Sequence, residues 1–184
     1  MGTTHFMGLS ILALLLPAIL ASGCGAPASP PDRLVEGQPF PPVMLRGLDG
    51  GTAPLAAYRG RLVVLNVWAT WCAPCRKELP SLQRLSRSVD PQRVVVMGLT
   101  LDDDVHVVRE YLIDKGITFP NFIDQGMRIA NDTFGLRVYP GTFFIGTDGK
   151  LLGRVIGERT WDTPEVIHAL EEAYQGRGFD LSGK

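Results

Sequence analysis

Trp71-Cys72-Ala73-Pro74-Cys75 puts two thiols three residues apart, directly after an apolar run and at the start of a stretch with helical spacing. Two chemistries use that spacing. One is dithiol–disulfide exchange, in which the two sulfurs make and break a bond with each other. The other is half of a zinc site, which needs two further Cys or His ligands. His5, His106 and His168 each stand alone in the sequence, so no metal is expected. A purely structural staple also fits poorly, because so short a loop removes little entropy from the unfolded chain. The nucleophile in exchange is the thiolate, and a free thiol is mostly protonated at neutral pH. At a helix N-terminus Cys72 meets free backbone N–H groups and the positive end of the helix dipole, and both favour the charged sulfur. Cys75 lies one turn later, close enough to close the disulfide. Glu78 lies one turn beyond Cys75 and shares its face of the helix. A partly buried glutamate there would have a raised pKa and could exchange protons near neutrality; the other reading is a surface glutamate beside Arg76 and Lys77.

The elements that must hold these residues are visible on either side. Leu62 to Val67 is a nearly continuous apolar run, expected as a central strand covered on both faces. It feeds directly into the Cys-x-x-Cys turn. Leu79, Leu82 and Leu85 then recur at helical spacing, with Pro80 expected to kink the helix. Val94 to Leu99 is a second buried strand. Asp102 to Asp104 can cap a helix that runs through Val105, Val108, Tyr111 and Leu112 to Gly116. Met127 to Phe134 is expected as a short helix. Thr142 to Ile145 and Leu151 to Ile156 flank a hairpin turn, and Thr163-Pro164 opens a last helix. Ahead of all these, Val43 to Leu48 and the turn Asp49-Gly50-Gly51 predict an N-terminal β-hairpin. The order predicts an α/β fold, a central mixed β-sheet with helices on both faces and that hairpin as an extension. One domain over residues 37–176 suffices, followed by a frayed tail at 177–184.

The chain has 184 residues, three cysteines and a formal net charge of −1. That balance offers no global field for nucleic acid. Three cysteines cannot staple a disulfide-rich mini-protein, so a hydrophobic core must supply stability. The third, Cys24, ends an apolar stretch from Leu9 to Leu20 that has the length of a signal-peptide core. Ala21-Ser22-Gly23-Cys24 resembles the lipobox of bacterial lipoproteins. The resemblance implies cleavage after residue 23 and a lipid on Cys24. An ordinary cleaved signal peptide or an uncleaved anchor are the other readings, and all of them export the domain. Residues 24–36 are rich in proline and small residues and read as a flexible tether.

From Asn66 to Pro80 the sequence resembles the active-site segment of thioredoxin-fold proteins of the TlpA/ResA type, within the redoxin/AhpC-TSA-like superfamily. The likeness runs from about Gly37 to Tyr174. It implies a thioredoxin-like fold and a protein thiol–disulfide oxidoreductase. Cys72 would be the exposed attacking thiol and Cys75 the buried resolving one. Glu78 matches the family's acidic residue and would accept the Cys75 proton, Asn66 standing where thioredoxins carry an Asp. Pro140, in Tyr139-Pro140-Gly141-Thr142, resembles the cis-proline opposite the Cys-x-x-Cys turn. Tyr139 and Trp71 would then meet the substrate. Gly141 departs from the Pro-Thr-Thr common in the family and is expected to loosen the loop. No cofactor beyond the Cys72–Cys75 pair is implied. The implied partners are exported protein disulfides, apocytochrome c among them, and a membrane thiol donor of the DsbD or CcdA type, at the periplasmic side of a bacterial membrane. An oxidase or isomerase of the same fold, a thiol peroxidase and a non-catalytic binding or chaperone module are the alternatives.

Overall fold

The computed structural model describes residues 1–3 and 34–181; Cys24, most of the expected signal segment and tether, and residues 182–184 lie outside them. All named elements belong to the unit Pro31–Lys184. The two apolar runs become the centre of a sheet. Strand β3 (Leu62–Trp68) and strand β4 (Val94–Thr100) are buried at every position and pair in parallel, Leu62 opposite Val94 and Trp68 opposite Thr100. Between them helix α1 (Ala73–Ser88) crosses over, and Leu79, Leu82 and Leu85 are fully buried as their spacing requires. The helix continues through Pro80.

The hairpin forms from β1 (Met44–Gly47) and β2 (Thr52–Pro54), paired antiparallel. It joins the main sheet through a strand absent from the sequence reading, β5 (Asn121–Ile123), which runs parallel to β4 and antiparallel to β1. Three residues are too few to show an alternating pattern. Strands β6 (Gly141–Ile145) and β7 (Leu151–Ile156) complete a mixed seven-stranded sheet in the order β2-β1-β5-β4-β3-β6-β7. Helices α2 (Val105–Asp114) and α3 (Pro164–Tyr174) start at side-chain caps: Asp104 accepts from the N–H of His106, and Thr163 from that of Val166. The architecture is the α/β sheet flanked by helices that the element order predicts.

Three expectations need correction. The short helix expected over Met127 to Phe134 does not form as one element. A short 3₁₀ turn, Gln125–Met127, gives way to a wider π-type turn, Ile129–Thr133, because the Asp124 carboxylate accepts from the N–H groups of Ile129 (3.0 Å) and Ala130 (2.8 Å) and restarts the chain there. The tail from residue 177 does not fray through its described part. The Phe179 ring lies 4.6 Å from that of Phe144, and Arg159 donates to the Leu181 carbonyl at 3.0 Å. Gly141 does not loosen its loop, because it is a buried member of β6, paired with Val67 on one side and Ile156 on the other. A Cβ at Gly141 would meet the Leu136 methyls at 2.9 and 3.0 Å, which is a reason for glycine.

The sheet register also positions the site. Val67, at the end of β3, lies opposite Gly141, at the start of β6. The chain leaving β3 for the cysteines and the chain entering β6 from Tyr139-Pro140 therefore emerge side by side.

Candidate active site

Cys72 is the N-cap of α1, and its Sγ accepts from the N–H of Cys75 at 3.3 Å. The first turn thus turns its free N–H groups toward the sulfur, as the motif's placement requires. Cys72 and Cys75 are joined in a disulfide. Cys72 retains 6% exposure and Cys75 none. Cys72 is the more accessible of the two sulfurs, although less open than expected.

The turn ahead of Cys72 is tied to the end of β4. The Asp102 carboxylate accepts from the Thr70 hydroxyl (2.5 Å), the Thr70 N–H (2.9 Å) and the Thr100 hydroxyl (2.6 Å). Arg76 reaches back from α1 to the Thr70 carbonyl at 2.8 Å. Of the expected caps Asp102 to Asp104, only Asp104 caps α2, and Asp102 instead holds the active-site turn.

Glu78 is 2% exposed. Its Oε1 accepts from Asn66 Nδ2 at 2.7 Å; its Oε2 accepts from Trp161 Nε1 at 2.9 Å and from the Arg159 N–H at 3.2 Å. Burial pushes its pKa up, the three donors pull it back, and the nearby Glu158 charge adds to the rise. A carboxyl held between these opposing effects is suited to taking a proton and releasing it. Asn66 also donates to the Thr142 hydroxyl at 2.9 Å, so it links Glu78 to the strand after Pro140. Its own Oδ1 is the one buried side-chain polar atom without a partner among the described residues. Trp161, Arg159 and Thr142 were missed on sequence. The usable signal was Asn66, a polar side chain inside an otherwise apolar strand, since such a group must be paired.

The Tyr139–Pro140 peptide is cis, as the resemblance implies, and Pro140 is buried. The Tyr139 ring meets Trp71 edge-on at 6.2 Å between centroids. The Tyr139 hydroxyl is anchored on Asn131, and burial raises its pKa. Trp71 is 55% exposed and Val138 60%. The Trp71–Tyr139 pair joins the residue before Cys72 to the residue before Pro140. Trp68 belongs to the core: it is fully buried and donates from Nε1 to Asn121 at 2.9 Å. Among the described residues no cluster of three or more His, Cys, Asp or Glu is arranged to hold a metal ion, and no helix is long and apolar enough to cross a membrane.

Comparison with known proteins agrees with this geometry. The AhpC/TSA family model matches residues 36–153. The thiol-disulfide oxidoreductase ResA of Bacillus anthracis is 33% identical over 129 residues, 70% of this chain and 74% of that protein. ResA of Bacillus subtilis is 27% identical over 155 residues, 84% of this chain and 86% of its own. Among solved structures, a DsbF homologue from Corynebacterium diphtheriae superposes with a TM-score of 0.62 at 25% identity, covering 80% of this chain and 96% of that one. StoA from Bacillus subtilis shares the fold, with a TM-score of 0.57 at 20% identity over 74% of this chain and 96% of its own. With a redox pair capping a helix, a buried carboxylate behind it and relatives matched along most of their length, the chain belongs to the AhpC/TSA family, as a thioredoxin-fold thiol–disulfide oxidoreductase of the ResA type.

Proposed function

We infer that the protein is a reductant of disulfides in exported proteins, tethered outside the cytoplasm by a lipid on Cys24. The observation that carries the chemical part is Glu78, buried one turn behind Cys75 with its pKa raised. In this reading the Cys72 thiolate attacks one sulfur of a client disulfide. A Cys72–client bond forms, the client S–S bond breaks, and the other client sulfur leaves as a thiolate. Cys75 then gives its proton to the Glu78 carboxylate. The Cys75 thiolate attacks Cys72 Sγ, the Cys72–Cys75 bond forms, and the second client sulfur leaves and takes a proton from water. Two electrons have passed from the dithiol to the client, and Glu78 holds one proton to release. The client lies on Trp71 and Tyr139, beside Pro140.

A membrane thiol donor of the DsbD or CcdA type recharges the pair, and apocytochrome c, whose haem-attachment cysteines must be reduced, is the leading client. Both follow from the likeness to ResA-type proteins. No cofactor beyond the cysteine pair takes part.

The test is the reduction potential of Cys72–Cys75, measured by equilibration in defined thiol buffers and read by tryptophan fluorescence. A value toward the thioredoxin end of the scale, about −270 mV, supports the reductase; one near the DsbA end, about −120 mV, overturns it in favour of an oxidase or isomerase. Cys75→Ser should trap clients as mixed disulfides on Cys72. Client binding that survives loss of both cysteines points instead to a non-catalytic module, and peroxide turnover lost on Cys75→Ser points to a two-cysteine peroxidase.

A further inference from the structure

Glu78 is buried, yet the reaction above requires it to gain and lose a proton in each turnover. It gains that proton while a client is bonded to Cys72 and lies over Trp71 and Tyr139, which closes that side of the site. A different opening reaches Glu78. It borders a cleft of about 240 Å³ whose other walls are Lys77, Glu158, Arg159 and Thr160. Neither cysteine, nor Trp71, Tyr139 or Pro140, lines this cleft. At about 30 Å³ per water molecule it has room for several waters. Across it Lys77 Nζ stands 3.4 Å from the Glu158 carboxylate, with side chains 72% and 45% exposed.

We propose that this cleft is where Glu78 exchanges its proton with solvent, and that the Lys77–Glu158 pair on its walls tunes that exchange. The proposal rests on Glu78 being the base for Cys75. The proton passes from the Glu78 carboxyl to water in the cleft, then to the Glu158 carboxylate or to bulk water; no electron moves in this step.

Of the other groups packed around Glu78, most are neutral or paired with an opposite charge, and the Arg159 guanidinium is a further positive charge on the cleft wall. Asn66 from β3 and, behind it, Thr142 from β6 are neutral. Ser81 of α1 is neutral and is engaged with the Glu78 carbonyl and the Trp161 N–H. The Arg159 guanidinium is held on the Leu181 carbonyl and over the Trp161 ring. Arg84 and Asp162, on the flank, are paired with each other. Glu158 disfavours the Glu78 carboxylate, and Lys77 offsets Glu158. Glu158 and Lys77 are thus positioning residues that act through Glu78.

The test uses the full chain carrying Cys24→Ser, in detergent. Ellman's reagent converts the reduced protein to a Cys72–thionitrobenzoate mixed disulfide, and stopped-flow absorbance follows the second release as Cys75 resolves it. The resolution rate should rise with pH as Glu78 ionises. Glu158→Gln removes a negative neighbour and should move the midpoint to lower pH. Lys77→Gln leaves the Glu158 charge uncompensated and should move it to higher pH. Thr160→Trp fills the cleft; when the reduced protein is moved from low to high pH before the reagent is added, it should delay recovery of the fast resolution rate several-fold, because Glu78 then loses its proton to solvent more slowly. Midpoints unmoved by both charge variants, shifts of the same sign, or a Thr160→Trp recovery after the pH jump as fast as wild type's would each overturn the proposal. Glu78→Gln separates the two levels. If it keeps the same pH limb, Glu78 is not the base; if the limb vanishes and the outer variants still do nothing, only the exit route fails.

Discussion

Trp161→Phe removes one donor from Glu78 and keeps an aromatic ring in place. Trp161 is fully buried, its ring 5.7 Å from that of Phe144, and its Nε1–H meets Glu78 Oε2 at 2.9 Å. The variant loses packing at every pH, and it loses a hydrogen bond whose worth depends on the charge of its acceptor. A bond to a charged group contributes about 1.5–3 kcal/mol, and one between neutral groups about 0.5–1.5 kcal/mol. The destabilisation should therefore be about 1–1.5 kcal/mol larger where Glu78 is ionised than where it is protonated. The packing loss is common to both conditions and drops out of that difference. The assay is urea unfolding of the oxidised protein by far-UV circular dichroism, wild type against variant, once below the ordinary carboxylate range and once above the Glu78 titration, with the slope shared. The Glu78 pKa should also rise further, since a donor that favours the carboxylate is gone. Equal destabilisation at the two pH values, or a larger one in acid, would refute the claim that Trp161 acts on Glu78 through its charge.

Three further outcomes are expected. Glu78 holds its proton in the native state at pH values where the unfolded chain has lost it, so its contribution to stability is full below the ordinary carboxylate range and is lost as pH rises through its raised folded pKa. Glu78→Gln should flatten that decline, as read from urea midpoints across pH. Asp102→Ala leaves the Thr70 N–H and the Thr70 and Thr100 hydroxyls without their acceptor; it should cost about 2–3 kcal/mol and speed amide exchange in the turn before Cys72, measured by hydrogen–deuterium exchange. Gly98→Ala would place a Cβ 2.0 Å from Asn121 Oδ1 and 2.7 Å from Trp68 Nε1; forcing that bond apart should destabilise by about 2–4 kcal/mol, seen as a lowered thermal midpoint.

Much of this molecule is readable without coordinates because the rules involved act over a few residues. A cysteine pair that follows an apolar strand and opens a helix is a local pattern, so Cys72 as the cap of α1 follows from order alone. The starts of α2 and α3 follow from Asp104 and Thr163, whose side chains reach only two or three residues along the chain. The runs that become β3 and β4 are long and apolar enough to require burial on both faces.

What surrounds Glu78 is of another kind. Its helix places it near Cys75, but its hydrogen bonds come from Asn66 on β3, the Arg159 backbone and the Trp161 indole, segments that meet only once β3, β6 and β7 have paired and α3 has docked. Nothing in the residues near Trp161 marks it as a donor to a carboxylate. Strand β5 is equally silent, since three residues carry no periodicity and its pairing is set by its neighbours β4 and β1. The return of Phe179 to the Phe144 ring depends on an apolar surface assembled from distant strands. Short-range capping and burial patterns determine where the thiols sit. The long-range register of the sheet decides which groups hold the proton behind them, because hydrogen bonds to a buried carboxylate depend on positions in space that no local rule specifies.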